Sequence, residues 1–147
     1  MHQYRPVNSN GWLHGDTVQL DSVLVPEDGV YALSAELRIL PTYPYKELWL
    51  VVEQHWDSPM LYRCDTICVS IADSLGQFLS KGRNVYSYTE PVCTLQLSRE
   101  QRGLLRLWHQ MTWNSIPGVS DVGLSLEAVA GGVNAQQDEQ QDSESPE

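Results

Sequence analysis

The residues able to do chemistry are few, and none of them is spaced for it. His14, His55 and His109 form no H-x-x-x-H or H-x-H pair, so a metal centre would need ligands assembled by folding alone; a surface or hydrogen-bonded core histidine is the default. No G-x-S-x-G elbow supplies a nucleophile. Glu36 and Glu53 carry the residue type of a glycosidase acid and base, but neither carries a local signal of burial. His55 falls on the same strand face as Glu53, which allows a polar pair. Cys64, Cys68 and Cys93 are odd in number, and Cys64-x-x-x-Cys68 is not a zinc-ribbon spacing. Along one straight strand those two sit about 13 Å apart, too far to bridge. A Cys68–Cys93 bridge between sheets stays open, and the leading reading is buried free thiols. No residue is assigned to catalysis, to a cofactor or to a metal.

Aromatic residues are the more promising material. Five tryptophans in 147 residues is a rich supply, and indoles exposed on a β-sheet can stack sugars, although most tryptophans in small domains serve packing. Trp49 and Trp56 lie on opposite faces of one predicted strand, so one of them can face solvent. Just upstream, Pro41-Thr-Tyr-Pro-Tyr45 holds two tyrosines in a stiff, extended connection. Rigid aromatic loops lose little entropy on binding. Tyr43, Tyr45, Trp49 and Trp56 together form the candidate partner or ligand surface.

The elements that must position these residues are short strands. From Val30 to Leu40, the side chains of Tyr31, Leu33, Ala35, Leu37 and Ile39 alternate with a more polar set, the pattern of a half-buried antiparallel strand. Thr17 to Val25 is a second strand, with Val18, Leu20 and Leu24 inward. Leu48 to Trp56 begins apolar on both faces and reads as a central strand covered on both sides in its first half. Strands follow at Cys64–Asp73, Tyr86–Tyr88 and Cys93–Leu97. Ser98-Arg-Glu-Gln101 fits a capping box limited to one helical turn by Gly103. Leu104–Trp113 fits helical and strand periods alike, and its neighbours tip it to strand. Val122–Val129 closes the series, with Gly123 permitting close backbone approach. About eight strands at 10–12-residue spacing predict an all-β fold, an antiparallel β-sandwich with jelly-roll-like winding.

The formal charge is −10, but Asp138, Glu139, Asp142, Glu144 and Glu147 all lie beyond Ala135 without a neighbouring base. Residues 1–130 read as a single sandwich domain and 131–147 as an acidic disordered tail. The nine Lys and Arg residues are dispersed, which speaks against nucleic-acid binding and against electrostatic docking on anionic lipid. No apolar run approaches the roughly 18 residues of a membrane-spanning helix, and the first residues lack a signal-peptide pattern.

Several segments together resemble a known family. Leu37-Arg38, Tyr43-Pro44-Tyr45 and Leu48-Trp49-Leu50 come first. Asp65-Thr66, Ile71-Ala72-Asp73, Gly76 and Gly82 follow, then Gln110-Met111, Ile116-Pro117-Gly118-Val119 and Asp121-Val122-Gly123-Leu124; Tyr4 and Gly11-Trp12 also fit. In order and spacing they resemble the gliding-motility lipoproteins of the GldH type from Bacteroidetes, over residues 4–128. The resemblance implies a non-enzymatic lipoprotein of the cell envelope and outer membrane, held by an acylated cysteine and facing the periplasm. It implies an assembly or scaffold role among other envelope or motility-machinery proteins; relatives also occur in Bacteroidetes that do not glide. The first cysteine here is Cys64, so the anchor cysteine is expected just upstream of Met1, and the membrane is reached only through it. A carbohydrate- or ligand-binding sandwich is the alternative.

Overall fold

The computed structural model describes residues 1–129; the acidic segment 131–147 lies outside them. Among the described residues there are ten strands: β1 (His2–Pro6), β2 (Trp12–Leu13), β3 (Val18–Leu24), β4 (Gly29–Ile39), β5 (Glu47–Asp57), β6 (Leu61–Ser70), β7 (Tyr86–Leu97), β8 (Arg102–His109), β9 (Ser115–Ile116) and β10 (Val119–Ala128). Eight of them make two four-stranded antiparallel sheets, ordered β1-β10-β4-β7 and β3-β8-β5-β6, and the two-residue β2 and β9 pair with each other. The chain is folded on itself so that β1 pairs with β10, β3 with β8, β4 with β7 and β5 with β6. That long hairpin is then rolled into two layers, which is the jelly-roll topology.

The core lies between the layers and follows the alternation of the sequence. Tyr31, Leu33, Ala35, Leu37 and Ile39 of β4 are all buried, as are Leu48, Leu50, Val52 and Trp56 of β5 and Val122, Leu124 and Leu126 of β10. Fully burying side chains of this kind stabilises a fold by about 1.5–3 kcal/mol each. Gln54 occupies an inward position of β5 at 0% exposure. It is hydrogen-bonded on both sides: its carbonyl accepts from Trp56 Nε1 at 3.0 Å and its amide donates to Cys93 Sγ at 3.4 Å. A buried amide is tolerable only with such partners.

Local departures from the sequence reading have identifiable causes. In β3 the inward residues are Val18, Leu20 and Val23, while Leu24 is exposed. A register shift between Leu20 and Val23, with Ser22 at φ 56°, inserts a residue and reverses the parity. The two short strands anticipated around residues 86–97 are one strand, β7, whose irregularity opposite Leu33/Ser34 absorbs Val92. Pro91 is accommodated because β7 is an edge. No helical turn forms at Ser98–Gln101, although the anticipated back-bond does: Gln101 Oε1 accepts from Ser98 N at 2.8 Å. Its amide donates to Pro59 O at 2.6 Å, tying this turn to the β5–β6 connection. The ambiguous segment is strand, as β8, over Arg102–His109.

Strand β1 is an addition that its sequence, His-Gln-Tyr-Arg-Pro, does not advertise. It lies so close to β10 that a Cβ on Gly123 would strike the carbonyl of Gln3, the close approach anticipated for that glycine. The outer side of this sheet is polar and self-satisfied. Tyr4 donates to Glu36 at 2.5 Å, Arg38 lies over the Tyr4 ring at 4.1 Å, and His2 bridges Glu36 and Glu127.

Candidate functional site

The outer face of the other sheet is different in kind. Its central strands are β5 and β8, in a register that sets Val51 opposite Trp108, Glu53 opposite Arg106 and His55 opposite Leu104. Because β5 is central, its inward side chains are sealed, but its outward face is open rather than covered: only Val51 is buried there, and Trp49 is 42% exposed. Towards one end of the strands, Glu53 sits among polar neighbours. Its Oε2 accepts from Tyr62 at 3.0 Å, and Oε1 lies 3.4 Å from His55 Nε2 and 3.6 Å from Arg106 Nη1. The hydrogen bond to this carboxylate pushes the Tyr62 phenol up to about 12. Oε1 itself is shielded and accepts no hydrogen bond. The Glu53–His55 pair is therefore real. Glu36 is on the outer side of the opposite sheet, so Glu36 and Glu53 cannot flank one bond.

Towards the other end, the connection entering β5 and the segment leaving β8 enclose a cleft of about 530 Å³, lined by Tyr45, Lys46, Glu47, Trp49, Met111 and Trp113 among others. Its construction starts at Tyr43, which is 4% exposed and does not reach the surface. Tyr43 N donates to Leu40 O at 3.0 Å in a tight turn, and its hydroxyl donates to Glu47 O at 2.6 Å. Burial raises the phenol's pKa. Gly118, at φ +87°, lets its own backbone pack directly on Tyr43. Tyr45 stands edge-on to Tyr43 (5.4 Å) and stacks on Trp113 with centroids 4.4 Å apart and planes 17° from parallel. Trp113 is 51% exposed. Past the end of β8, Gln110 N donates to Trp49 O at 2.8 Å and Met111 Sδ accepts from Trp49 N at 3.4 Å, which seats the thioether against β5.

His109 governs where that segment leaves the sheet. It is fully buried; Nε2 donates to Trp12 O at 3.0 Å and Nδ1 accepts from Met111 N at 3.3 Å. This pattern requires the neutral Nε2–H tautomer, since an imidazolium has no acceptor. Burial lowers its pKa, and the neighbouring His14 ring, 5.4 Å away, lowers it too. A His with a depressed folded pKa binds fewer protons than in the unfolded chain, so its contribution is intact above the unfolded value near 6.5 and is lost as pH falls below it. The native protein should therefore be less stable at about pH 5.5 than at about pH 7.5. In urea titrations at the two pH values, His109→Gln, whose amide can both donate and accept, should lose less on acidification; an equal loss would refute this.

Of the four aromatics nominated from sequence, Tyr45 and Trp49 meet in the cleft, whereas Tyr43 braces it from beneath and Trp56 is 1% exposed in the core. Trp56 points inward because it shares parity with Leu48, Leu50 and Val52. Met111 entered the sequence reading only through the Gln110-Met111 segment of the resemblance, and Trp113 only through the count of tryptophans. Both lie beyond the end of β8, where strand parity no longer says which way a side chain faces. Among the described residues, no three His, Cys, Asp or Glu side chains converge to hold a metal ion. All three thiols are free, but Cys64 is exposed rather than buried and Cys68 and Cys93 are partly buried. Burial raises the pKa of the latter two.

A family model described as GldH lipoprotein matches residues 1–126. The chain belongs to the GldH lipoprotein family. The membership gives its class, a lipid-anchored envelope lipoprotein of the gliding-motility type. The residues carrying the resemblance now have places in this GldH-family fold: Tyr4, Arg38 and Asp121 meet on one sheet, Tyr43 packs on Gly118, and Trp49 touches Met111. No curated protein matches the chain. Among solved structures it is similar to a family 35 carbohydrate binding module from Clostridium thermocellum, with 13% identity, 86% of this chain and 87% of that one covered, and a TM-score of 0.45. It is also similar to the Eiger TNF of S. frugiperda, at 12% identity, 96% and 98% coverage and a TM-score of 0.37. Neither likeness bears on function.

Proposed function

We propose that this protein is a non-enzymatic assembly or scaffold component of the envelope, anchored through a lipidated cysteine upstream of Met1, facing the periplasm and docking other envelope or motility-machinery proteins. The observation that carries this reading is the asymmetry of the two outer faces. One sheet covers itself with Tyr4, Glu36, Arg38 and Asp121 in mutual contact. The other presents Tyr62 on β6 at 55% exposure, with Leu104 and Trp108 half-buried on β8, across β5 from it. Exposed aromatics on a flat, rigid sheet are the material of protein interfaces. The docking face is thus the middle of the β3-β8-β5-β6 sheet.

Photo-crosslinking in the native envelope tests the reading. A crosslinker at Tyr62 or Leu104 should trap a discrete protein partner, and one at Ser34 on the opposite sheet should not. Equal yields from both faces, or none from either, would refute it.

A further inference from the structure

We infer that the cleft between the β4–β5 connection and the segment after β8 is a binding site for a neutral saccharide, separate from the flat face beside it. Three features select that chemistry. First, the cleft has prepared aromatic planes. Trp113 is braced against Tyr45, and Tyr45 against the buried Tyr43, so the exposed indole is held in place before any ligand arrives. Trp49 offers a second, exposed indole, on a backbone held by the bonds that its N–H and its carbonyl make. A pyranose ring has a C–H face that lies on such planes, and preorganised aromatics keep the entropy cost of binding low.

Second, hydrogen-bonding side chains interleave with these planes. Lys46, Glu47, Gln110 and Thr112 line the same cleft and are all exposed. Together they offer donors and acceptors, which the paired hydroxyls of a sugar can satisfy in both senses. Third, the charges balance. Lys46 and Glu47 both line the cleft, and farther along the same face Arg106 is paired with Glu53, so no excess of either sign favours an anionic or a cationic ligand. The volume, about 530 Å³, falls within the range of small-ligand sites.

Calorimetric titration of the full chain with cellohexaose, xylohexaose, mannohexaose and maltohexaose into the millimolar range tests the site. At least one should bind saturably. Trp113→Ala should weaken that binding about tenfold, and Tyr62→Ala, on the flat face, should leave it unchanged. Circular dichroism verifies that each variant is folded. No saturable heat with any of the four oligosaccharides, or binding that survives in the Trp49→Ala/Trp113→Ala double variant, overturns the inference. Either result leaves the crosslinking pattern from Tyr62 and Leu104 untouched, so the saccharide site and the protein-docking reading fail separately.

Discussion

Trp56→Ala is expected to destabilise the protein by about 3–5 kcal/mol, read as a fall in the midpoint of urea unfolding. The indole is 1% exposed, and it fills a place nothing else can occupy. Its partner across the β5–β8 ladder is Gly103, where a Cβ would come within 2.5 Å of the indole ring. The ring lies flat on bare backbone, so truncating it opens a cavity that neighbouring side chains cannot close. It also removes the N–H that Gln54 accepts at 3.0 Å, leaving a fully buried amide with one partner fewer. A domain of this size has a total stability of about 5–15 kcal/mol, so the variant should be partly unfolded at physiological temperature. Trp49→Ala, four to the N-terminal side of Glu53 and outward on the same strand, should change stability by no more than about 0.5 kcal/mol. Similar losses from both substitutions would contradict the inward and outward assignments of the two indoles.

Gly118→Ala should cost about 2–4 kcal/mol, and a well-chosen comparison divides that figure by cause. Gly118 has φ +87° and Gly76 has φ +83°. A methyl group on Gly76 meets nothing within 4 Å, whereas one on Gly118 would lie 2.5 Å from the Tyr43 nitrogen and Cα. Gly76→Ala therefore measures the left-handed backbone penalty alone, about 1–2 kcal/mol. The excess in Gly118→Ala measures the collision with Tyr43. That collision also has a destination: Tyr43 supports Tyr45, and Tyr45 supports Trp113. The variant's Trp113 emission should shift, whereas that of Gly76→Ala should not. Equal losses in the two glycine variants would mean that the Tyr43 loop can move aside freely.

How much of this was legible depended on whether a residue's neighbours were set by period. The ten residues from Val30 to Ile39 were readable because one face is buried for their whole length, and two-residue alternation then reports burial directly. The same rule failed at Leu24, where the irregularity at Ser22 reverses parity and no residue type there announces it. It failed again at β1, an edge strand whose side-chain contacts are mostly polar ones on the outer face, through His2 and Tyr4. At the cleft the sequence supplied Tyr45 and Trp49 through the proline-bounded loop and the strand that follows. It could not supply Trp113, whose position depends on Met111 returning to Trp49 and on a stack formed across two connections. Parity also placed Trp49 and Trp56 on opposite faces correctly. Choosing between the faces required weighing Gln54 as an inward residue, and a polar side chain there is sensible only once Cys93 and Trp56 are seen beside it.

The antiparallel pairing of β1 with β10 fixes one more property, a matter of reach. His2 is aligned with Ser125 and Pro6 with Asp121, and Met1 N donates to Leu126 O at 2.9 Å. Leu126 is in turn aligned with Leu33, so Met1 is level with Leu33 of β4, while Leu40, Gly118 and the Tyr43 turn lie at the pole where β4 ends. The stretch from Leu33 to Leu40 separates the two, about 23 Å at the usual rise. If the protein is anchored as proposed, through a residue preceding Met1, the aromatic cleft would stand on the side of the molecule away from the leaflet.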